Sequence, residues 1–365
     1  MKIPIYEPQI DEKEKNLVFD CLSSNWISSK GKYVSLFEQE FSKYTDIKFC
    51  TTVVNGTLAL DLALAVLDIG INDEVIVPSL SYIAAASSVY RSGAKLVFAD
   101  VDLNTLQICP ESVREKITSK TKAIIGIHNY GLPYQSELIN NICKDYNLFH
   151  IEDCAEALGS RLSNGKHVGS LSDISTFSFY GNKTITTGEG GMICTNLEKY
   201  DLKARHLKNH GISSSKRYWH DEFGSNYRMT NIACAIGIAQ LTKIEGFLMQ
   251  KKLLFKFYEK NTPKNFRILK PVNNSNLISS NWMNTYITEE PVLSSNLQKY
   301  LEENNIENRP LFYPVHKMPM FKSENIKLKN SEKLFGCGLN LPSYPGLIYE
   351  KEKLNYLENI LRDFN

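Results

Sequence analysis

The chain has 365 residues, more than one hydrophobic core usually serves, because single cores stop growing near roughly 250–300 residues. Its 42% hydrophobic and 22% charged residues are typical of a globular protein and exclude intrinsic disorder as the main state. The 42 Lys and Arg residues nearly balance the 40 Asp and Glu residues, so net charge favours neither nucleic acid nor an anionic membrane. We therefore expect two lobes and no nucleic-acid or membrane partner.

The distribution of apolar residues and cysteines predicts a soluble, cytoplasmic protein. No apolar run reaches the roughly 18–20 residues of a membrane helix, since the richest stretch, residues 58–67, contains Asp61. The N-terminus lacks the apolar segment of a secretory signal. The eight cysteines include no CxxC pair, and no His cluster has metal spacing. We expect core cysteines in a reducing compartment and no metal site.

Two helices are predicted at the start of the chain. Asp11 and Glu14 have the spacing of a capping box, and the helix that follows would carry on one face Leu17, Val18, Cys21 and Leu22. A second helix is indicated by aromatic residues at helical spacing, namely Tyr33, Phe37, Phe41 and Tyr44. Each pattern describes a helix with one apolar face.

From Val75 onward, short apolar runs alternate with longer helical patterns. The runs are VIVP, AKLVFAD, KAIIGIH and LFHIED, each about 20–30 residues from the next. This rhythm predicts parallel strands joined by helices, which is an α/β fold. DISTFSF and GGMICTN, between Ser172 and Thr195, are also strand-like but are joined by a Gly/Thr-rich segment. A functional loop is expected there.

A second lobe is predicted toward the C-terminus. Helical patterns end near Lys260, and an Asn/Ser-rich interval follows at residues 271–281. A shorter alternation of strand and helix patterns comes after it. We therefore predict a large cofactor-binding domain over residues 1–245, including the N-terminal helical segment, and a small C-terminal domain over residues 246–365.

Polar residues that directly follow the predicted strands are the first candidates for a ligand site, because ligands bind beyond the carboxyl ends of parallel strands. Asp153 ends LFHIED. A carboxylate there can bind a metal, act as a general base or pair with a positively charged ring nitrogen. A cap for a helix over the following CAEALG explains Asp153 equally well.

Lys183 follows the apolar strand STFSFY and precedes a glycine-rich turn, which would hold its amine over the same sheet edge as Asp153. An isolated lysine is usually a solvated surface charge, but a partly buried one loses proton affinity and can bond covalently to an aldehyde. Together the two residues match the needs of pyridoxal phosphate (PLP). Its aldehyde binds an amine, and a carboxylate keeps its pyridine nitrogen protonated.

A phosphate site is predicted at Asn55-Gly56-Thr57, which opens an apolar helix. Glycine lets the backbone approach closely, and a helix N-terminus supplies unpaired N–H groups and the positive end of its dipole. A plain capping turn explains a lone NGT more often. Ser178, near the end of its strand, can add a hydroxyl group. Tyr82, after VIVPSLS, can stack on a planar cofactor or belong to the core.

A wider resemblance runs over nearly the whole chain. It is carried, in this order, by WISSKGKYVSLFE, TTVVNGTLAL, DEVIVPSLSYIA, IEDCAEALGS, DISTFSFYGNKTITTGEGG and NYRMTNIACAIGIAQL. In these segments the chain is similar to the DegT-type sugar-nucleotide aminotransferases, which are PLP enzymes of the aspartate aminotransferase fold. The resemblance implies fold type I, with a large, mostly parallel seven-stranded sheet domain and a smaller α+β C-terminal domain.

The resemblance also implies roles by position. Lys183 would bind the PLP aldehyde, Asp153 would pair with the pyridine nitrogen, and Tyr82 would stack on the ring. The phosphate ligands would be Gly56, Thr57 and Ser178. Glu156 matches a position that faces the phenolic oxygen of the cofactor, where a carboxylate either shares a proton or turns away.

Three further residues receive roles from the resemblance. Asn226, in GSNYRM, would reach the cofactor phosphate of the neighbouring subunit, which implies a homodimer with shared active sites. On its own, Asn226 would be taken for a turn residue. Tyr313 and His316, in LFYPVHKMPMF, would contact the sugar. For His316, simple packing beside Pro314 and Pro319 is an equally good explanation.

The implied activity is transfer of the amino group of L-glutamate to a keto sugar nucleotide. LFYPVHKMPMF and YWHDEFGSNYRMTN are most similar to members that convert GDP-4-keto-6-deoxymannose to GDP-perosamine. Members with His in place of the lysine act as dehydrases, and this chain keeps Lys183. Two alternatives remain. One is a different acceptor, either another keto sugar nucleotide or an amino-octulosonate precursor, and the other is a PLP-binding regulatory protein without turnover.

Overall fold

The computed structural model describes residues 1–272, 275–321 and 326–364. Its larger sheet is formed by β1 (Phe49–Val53), β2 (Glu74–Pro78), β3 (Lys95–Ala99), β4 (Thr121–Ile127), β5 (Phe149–Asp153), β6 (Ile174–Ser178) and β7 (Gly191–Thr195). These seven strands lie in the order β1-β7-β6-β5-β4-β2-β3. β7 pairs antiparallel with β1 and β6, and the other neighbours are parallel. The predicted α/β class and the seven-stranded, mostly parallel sheet are confirmed.

Helices cover both faces of this sheet. They are α1 (Glu12–Ser23), α2 (Lys32–Thr45), α3 (Gly56–Val66), α4 (Ala84–Ser92), α5 (Pro110–Lys116), α6 (Ser136–Asp145), α7 (Glu198–Leu207), α8 (Asn231–Leu241) and α9 (Ile244–Lys260). Neighbouring side chains of a strand point to opposite faces. In β7, Met192 packs in one core with Phe37 and Phe41 of α2, and Ile193 packs in the other with Leu60 of α3.

A smaller sheet forms the second lobe. It consists of β8 (Arg267–Ile268), β9 (Asn284–Ile287), β10 (Arg309–Pro310) and β11 (Gly338–Leu341), in the order β10-β11-β9-β8. The helices of this part of the chain are α10 (Pro291–Glu303), α11 (Lys329–Leu334) and α12 (Lys351–Asp363), and short 3-10 turns lie at Val315–Lys317 and Pro345–Tyr349. A further 3-10 turn, Asn129–Gly131, follows β4 of the large sheet.

The two lobes share α9 and the N-terminal segment. Phe247 of α9 packs in a core of the large sheet, whereas Leu254 and Tyr258 of the same helix pack in the core of the second lobe. Ile3 belongs to that second core and pairs with Ile306. The expected division assigns all of residues 1–245 to the large domain, whereas Ile3 packs in the core of the second lobe. The division at residue 245 otherwise stays a prediction.

The two predicted N-terminal helices are present. Asp11 and Glu14 form the capping box of α1, and Phe37 and Phe41 of α2 are buried. Leu22, expected on the buried face of α1, is instead 54% exposed. The apolar face of α1 is thus wider than the part of it that the rest of this chain buries.

β1 is a strand that the apolar alternation did not predict. Its centre is polar, and its two threonines are fully buried. Thr51 donates a hydrogen bond to Asp201 over 2.7 Å, and Thr52 donates to Glu38 over 2.9 Å. These bonds remove the cost of burying the hydroxyl groups, and hydropathy does not reveal such partners.

Other sequence expectations concern cysteines, membranes and metals. All eight cysteines are free and all but Cys109 are buried, as expected of core residues. No single helix in the described ranges is long and apolar enough to cross a membrane. The pair α8 and α9, with a bend of 60° between them, meets the length and composition of a membrane span only when the two are taken together. Within the same ranges, no group of three or more His, Cys, Asp or Glu residues could hold a metal ion.

Candidate active site

The strand directions bring several predicted residues to one edge of the large sheet. Because β7 runs opposite to β1 and β6, the carboxyl ends of β1, β5 and β6 meet there. A cavity of about 460 Å³ opens at this edge. The sequence-predicted residues that line it are Gly56, Thr57, Tyr82, Asp153, Glu156, Ser178 and Lys183.

The first turn of α3 forms one wall of the cavity. Asn55 caps this helix by accepting a hydrogen bond from the N–H of Leu58 over 2.9 Å, as expected of a capping turn, and the phosphate role of the turn stays a prediction. The turn also lies against β6, since a methyl group built on Gly56 would lie 2.7 Å from Cβ of Ser178. Only glycine allows this approach. The result is a narrow cleft that combines a helix N-terminus with a hydroxyl group.

Asp153 ends β5 and is 6% exposed. Its Oδ1 accepts a hydrogen bond from the N–H of Ala155 over 3.0 Å. The alternative of a helix cap is wrong, because residues 154–159 form turns and no helix. Burial raises the pKa of Asp153 above its usual value, and the positive charge of Lys183 opposes this rise.

Lys183 places its amine in the same cavity. Its Nζ lies 3.7 Å from Oε1 of Glu156 and 4.1 Å from the ring centroid of Trp282. Burial lowers the pKa of Lys183, and Glu156 opposes that change. Removing an amine from water favours its neutral form, which is the nucleophilic form.

Glu156 faces the cavity and does not turn away from it. Its Oε2 accepts a hydrogen bond from the N–H of Tyr130 over 2.8 Å. Burial raises the pKa of Glu156 to about 7, while Lys183 works in the opposite direction. A carboxyl group with this pKa can hold a proton near neutral pH. The shared-proton alternative is therefore the one that the geometry favours.

Asn226 and Tyr313 do not line this cavity. Asn226 is exposed, and its Oδ1 accepts a hydrogen bond from the N–H of Arg228 over 3.2 Å. Tyr313 is half exposed and packs against Phe335, with ring centroids 4.9 Å apart. Within the described chain, neither side chain meets the cluster around the lysine.

His316 also lies away from the cavity and is fully buried. Its Nδ1 lies 2.6 Å from Oγ of Ser79, and its Nε2 lies 3.2 Å from Oε1 of Glu332. Both ring nitrogens are thus engaged inside the protein, which fits a packed histidine and not one that faces a substrate. Its partners, however, are a hydroxyl and a carboxylate group and not the neighbouring prolines.

Several cavity residues were not predicted from the sequence, and three of them come from the C-terminal part of the chain: Trp282, Arg309 and Phe312. Trp282 comes directly after the Asn/Ser-rich interval that was interpreted as a connection. The Phe312 N–H donates to the hydroxyl of Tyr130 over 2.8 Å, and the two rings stack 5.0 Å apart. An isolated tryptophan after a polar stretch is the signal that could have identified the first of these residues.

Comparisons with known proteins agree with the fold. The model of the DegT/DnrJ/EryC1/StrS aminotransferase family matches residues 8–357. The chain belongs to this family. It is 44% identical over 362 residues to the GDP-perosamine synthase of Escherichia coli O157:H7, covering 99% of this chain and 98% of that protein.

Two solved structures are similar over the whole chain. One is the PLP form of a Streptococcus pneumoniae protein assigned to the sugar aminotransferases, with a TM-score of 0.92, 25% identity and coverage of 100% and 98%. The other is a mutant of GDP-4-keto-6-deoxymannose-3-dehydratase with bound GDP-perosamine, with a TM-score of 0.90, 25% identity and coverage of 99% and 100%. The chain is thus a PLP-dependent aminotransferase of fold type I.

The cavity fits the cofactor that the family implies. PLP carries an aldehyde, a pyridine nitrogen and a phosphate, which need an amine, a carboxylate and a cradle of N–H and hydroxyl donors. The cavity contains Lys183, Asp153 and the cleft between Gly56 and Ser178. All three functions are therefore available at one sheet edge.

Proposed function

We propose that this enzyme transfers the amino group of L-glutamate to GDP-4-keto-6-deoxymannose and so produces GDP-perosamine. The observation that carries the proposal is the joint placement of the Lys183 amine and the Asp153 carboxylate in one cavity. The choice of sugar is supported by the 44% identical relative, whose name is GDP-perosamine synthase. We further propose a cytoplasmic location, which is supported by the free cysteines.

The cofactor in this proposal is PLP, bound by residues of the cavity. Lys183 would hold it covalently, Asp153 would pair with its ring nitrogen, and Tyr82, which lines the opening, would stack on the ring. The phosphate ligands would be Gly56, Thr57 and Ser178. When bound, PLP supplies an electron sink for the bond pair released at the donor's Cα.

Lys183 is proposed to move the protons of the reaction. Its free Nζ could take the proton from the donor's Cα, because burial lowers the pKa of the amine. The same Nζ, once protonated, would hold that proton beside the cofactor and could give it back as an acid. With the keto sugar the steps run in reverse. Lys183 would thus act as base and then acid in each half of the reaction.

Glu156 and Asp153 would set the charge around these steps. A carboxyl group with a pKa of about 7 can donate a hydrogen bond to the cofactor's phenolic oxygen where a carboxylate would repel it. Asp153, held by the N–H of Ala155, would face the ring nitrogen as an anion and keep it protonated. The two carboxyl groups would then have different protonation states in one cavity.

A homodimer with shared active sites is part of the proposal. Large apolar side chains stay exposed on and just after α1, with Phe19 at 69%, Leu22 at 54% and Trp26 at 56%. An exposed apolar surface of this kind fits a second copy of the chain. Asn226 is exposed and does not line the cavity of its own chain, which is compatible with a contact to the partner's phosphate site.

The direct test separates the two half-reactions. Incubation of purified protein with PLP and glutamate should produce one equivalent of 2-oxoglutarate per site, and addition of GDP-4-keto-6-deoxymannose should then yield the aminated sugar. The Lys183→Ala variant is the matched control and should do neither. No 2-oxoglutarate from the intact protein would support the regulatory alternative.

A panel of acceptors tests the substrate. GDP-linked and dTDP-linked 4-keto sugars, a 3-keto sugar nucleotide and the octulosonate precursor would be compared at equal concentration. We expect the GDP-linked 4-keto-6-deoxymannose to have the highest kcat/KM. A higher value for any other acceptor would replace the proposed substrate and leave the aminotransferase chemistry in place. Formation of a deoxy sugar without nitrogen would indicate dehydrase activity.

A further inference from the structure

A second buried lysine lies close to the active site without lining it. Lys251, in α9, is fully buried. Its Nζ donates hydrogen bonds to the backbone oxygens of Ser343 over 2.7 Å and Trp282 over 3.2 Å, and it lies 4.9 Å from the ring centroid of Tyr6. Burial of an amine is costly, so these contacts fix its position tightly.

Two of the three groups that Lys251 contacts also contact the loop of the catalytic lysine. The Tyr6 hydroxyl donates to the backbone oxygen of Lys183 over 2.7 Å. The indole Nε1 of Trp282 donates to the backbone oxygen of Asn182 over 2.7 Å, and its ring lies beneath the Lys183 amine at 4.1 Å. Consecutive carbonyl groups of the loop are thus held by the two residues that Lys251 contacts.

We propose that Lys251 is a positioning residue, which orients Tyr6 and Trp282 so that they fix the backbone and the amine of Lys183. The inference rests on the proposed function in one respect, namely that Lys183 is the residue that reacts with the cofactor. In this arrangement the second lobe determines where the amine stands above the sheet edge. Tyr6 reaches it from the N-terminal segment, and Trp282 reaches it from the segment just before β9.

The proposed role of Lys251 depends on the positions of its hydrogen bonds more than on its charge. Burial lowers its pKa to about 7, so a neutral amine is accessible near physiological pH. A neutral amine still has two N–H donors for the two backbone oxygens. Lys251 has no ion pair with any residue of the described ranges, which agrees with a role based on hydrogen bonds.

The same helix offers a matched control. Tyr258 is also fully buried in α9, and its hydroxyl donates to the backbone oxygen of Pro342 over 2.9 Å, next to Ser343. It therefore bonds to the same C-terminal segment as Lys251. Its hydrogen bonds do not involve the two residues that hold the Lys183 loop. Tyr258→Phe would lower stability in the same lobe and leave the loop contacts in place.

The test measures hydrogen exchange of backbone amides in residues 180–187 of the full chain, with and without PLP. Two of these amides, Lys183 and Thr187, donate within the loop to the oxygens of Tyr180 and Phe179. Lys251→Met should speed exchange in this segment about tenfold, the effect of losing roughly one hydrogen bond. Tyr6→Phe should act in the same direction. Tyr258→Phe should leave the segment at the wild-type rate.

The outcomes keep the inference separate from the proposed function, because hydrogen exchange needs no turnover. Wild-type exchange in Lys251→Met, or equal acceleration in Tyr258→Phe, would overturn the inference even in an active enzyme. Accelerated exchange with a failed glutamate reaction would leave the positioning role intact and remove the proposed activity. If Lys251→Met does not fold, Lys251→Gln replaces it. This shorter donor cannot reach both oxygens, so a smaller acceleration is expected and wild-type exchange would again overturn the inference.

Discussion

The cavity edge of the large sheet and the core of the second lobe each contain a buried lysine, and their surroundings differ. At the sheet edge, Lys183 lies 3.7 Å from a carboxylate oxygen of Glu156. In the second lobe, Lys251 donates to two backbone oxygens. Burial lowers the pKa of both amines because it disfavours their charged forms.

The difference shows that a lowered pKa does not by itself identify a catalytic lysine. Both amines have the neutral, nucleophilic form within reach, yet one lines a cavity of about 460 Å³ and the other is fully enclosed. Access and neighbouring carboxylates separate the two sites. The predictions below test that separation, beginning with the largest expected effect.

The first prediction concerns the site of covalent attachment. Borohydride reduction of the PLP-loaded protein, followed by peptide mass spectrometry, should find the cofactor on Lys183 and leave Lys251 unmodified. Lys183→Ala should lose the label and at least about 10³-fold in activity, because both the attachment and the proton transfers depend on that amine. Lys251→Met should keep the label on Lys183. A label on Lys251 would contradict the comparison.

The second prediction concerns the strand-end carboxylate. Asp153→Asn should preserve the fold and slow removal of the donor's Cα proton by about 10²–10³-fold, the range expected when an electrostatic stabiliser is lost. The neutral amide can still accept the Ala155 hydrogen bond but cannot keep the ring nitrogen protonated. Stopped-flow single turnovers with glutamate measure this step. A near-wild-type rate would show that Asp153 is not the partner of the nitrogen.

The catalytic side of this comparison was largely predictable, because it is local in sequence. Strands β2 to β6 appear as apolar runs, and β5 and β6 end in polar residues that line the cavity, Asp153 and Ser178. The helix N-terminus at Gly56 and the loop after Lys183 could be recognised from glycine and threonine content. Once the strands are predicted to be parallel, residues at their carboxyl ends, such as Asp153 and Ser178, are expected to lie close together.

The supporting side was not predictable, because it depends on contacts between distant segments. Ile3 pairs with Ile306, and Trp282 reaches the carbonyl group of residue 182. No spacing rule connects such residues. His316 shows the same limit, since the sequence left a sugar contact and simple packing equally possible, and its burial beside Ser79 and Glu332 depends on distant segments.

The third prediction is that cofactor binding in the cavity depends on a second chain, whereas the stability of the core around Lys251 does not. If Asn226 completes the partner's phosphate site, Asn226→Ala removes a hydrogen bond to a charged group, worth about 1.5–3 kcal/mol. PLP should then bind about tenfold or more weakly. Equilibrium dialysis measures the affinity, and thermal unfolding of the protein without cofactor should be unchanged.

Mixed dimers give the sharper form of this test. In a dimer of one Asn226→Ala chain and one Lys183→Ala chain, both lesions fall in the same site, and the other site is built from intact residues. About half of the wild-type activity per dimer should return. A monomer in sedimentation experiments, or inactive mixed dimers, would count against a shared site.

The last prediction concerns the carboxyl group that distinguishes the two lysine sites, and it is measured as stability and not as activity. Burial raises the pKa of Glu156 from the usual 4.5 to about 7, so between these values the folded protein holds a proton that the unfolded chain has released. The free energy of unfolding of the cofactor-free protein must therefore fall as pH rises from about 4.5 to 7, by on the order of 1.4 kcal/mol per pH step, and this contribution stays constant above 7. Glu156→Gln cannot titrate and should lack this part of the pH dependence.

Denaturant unfolding of both proteins at about pH 5 and about pH 8 measures the difference. The contributions of other titrating groups, including Lys183, cancel to the extent that the substitution leaves their pKa values unchanged. If the stability difference between the wild type and Glu156→Gln stayed the same at the two pH values, Glu156 would be ionised throughout the window, and its hydrogen bond to the cofactor would have to run in the opposite sense.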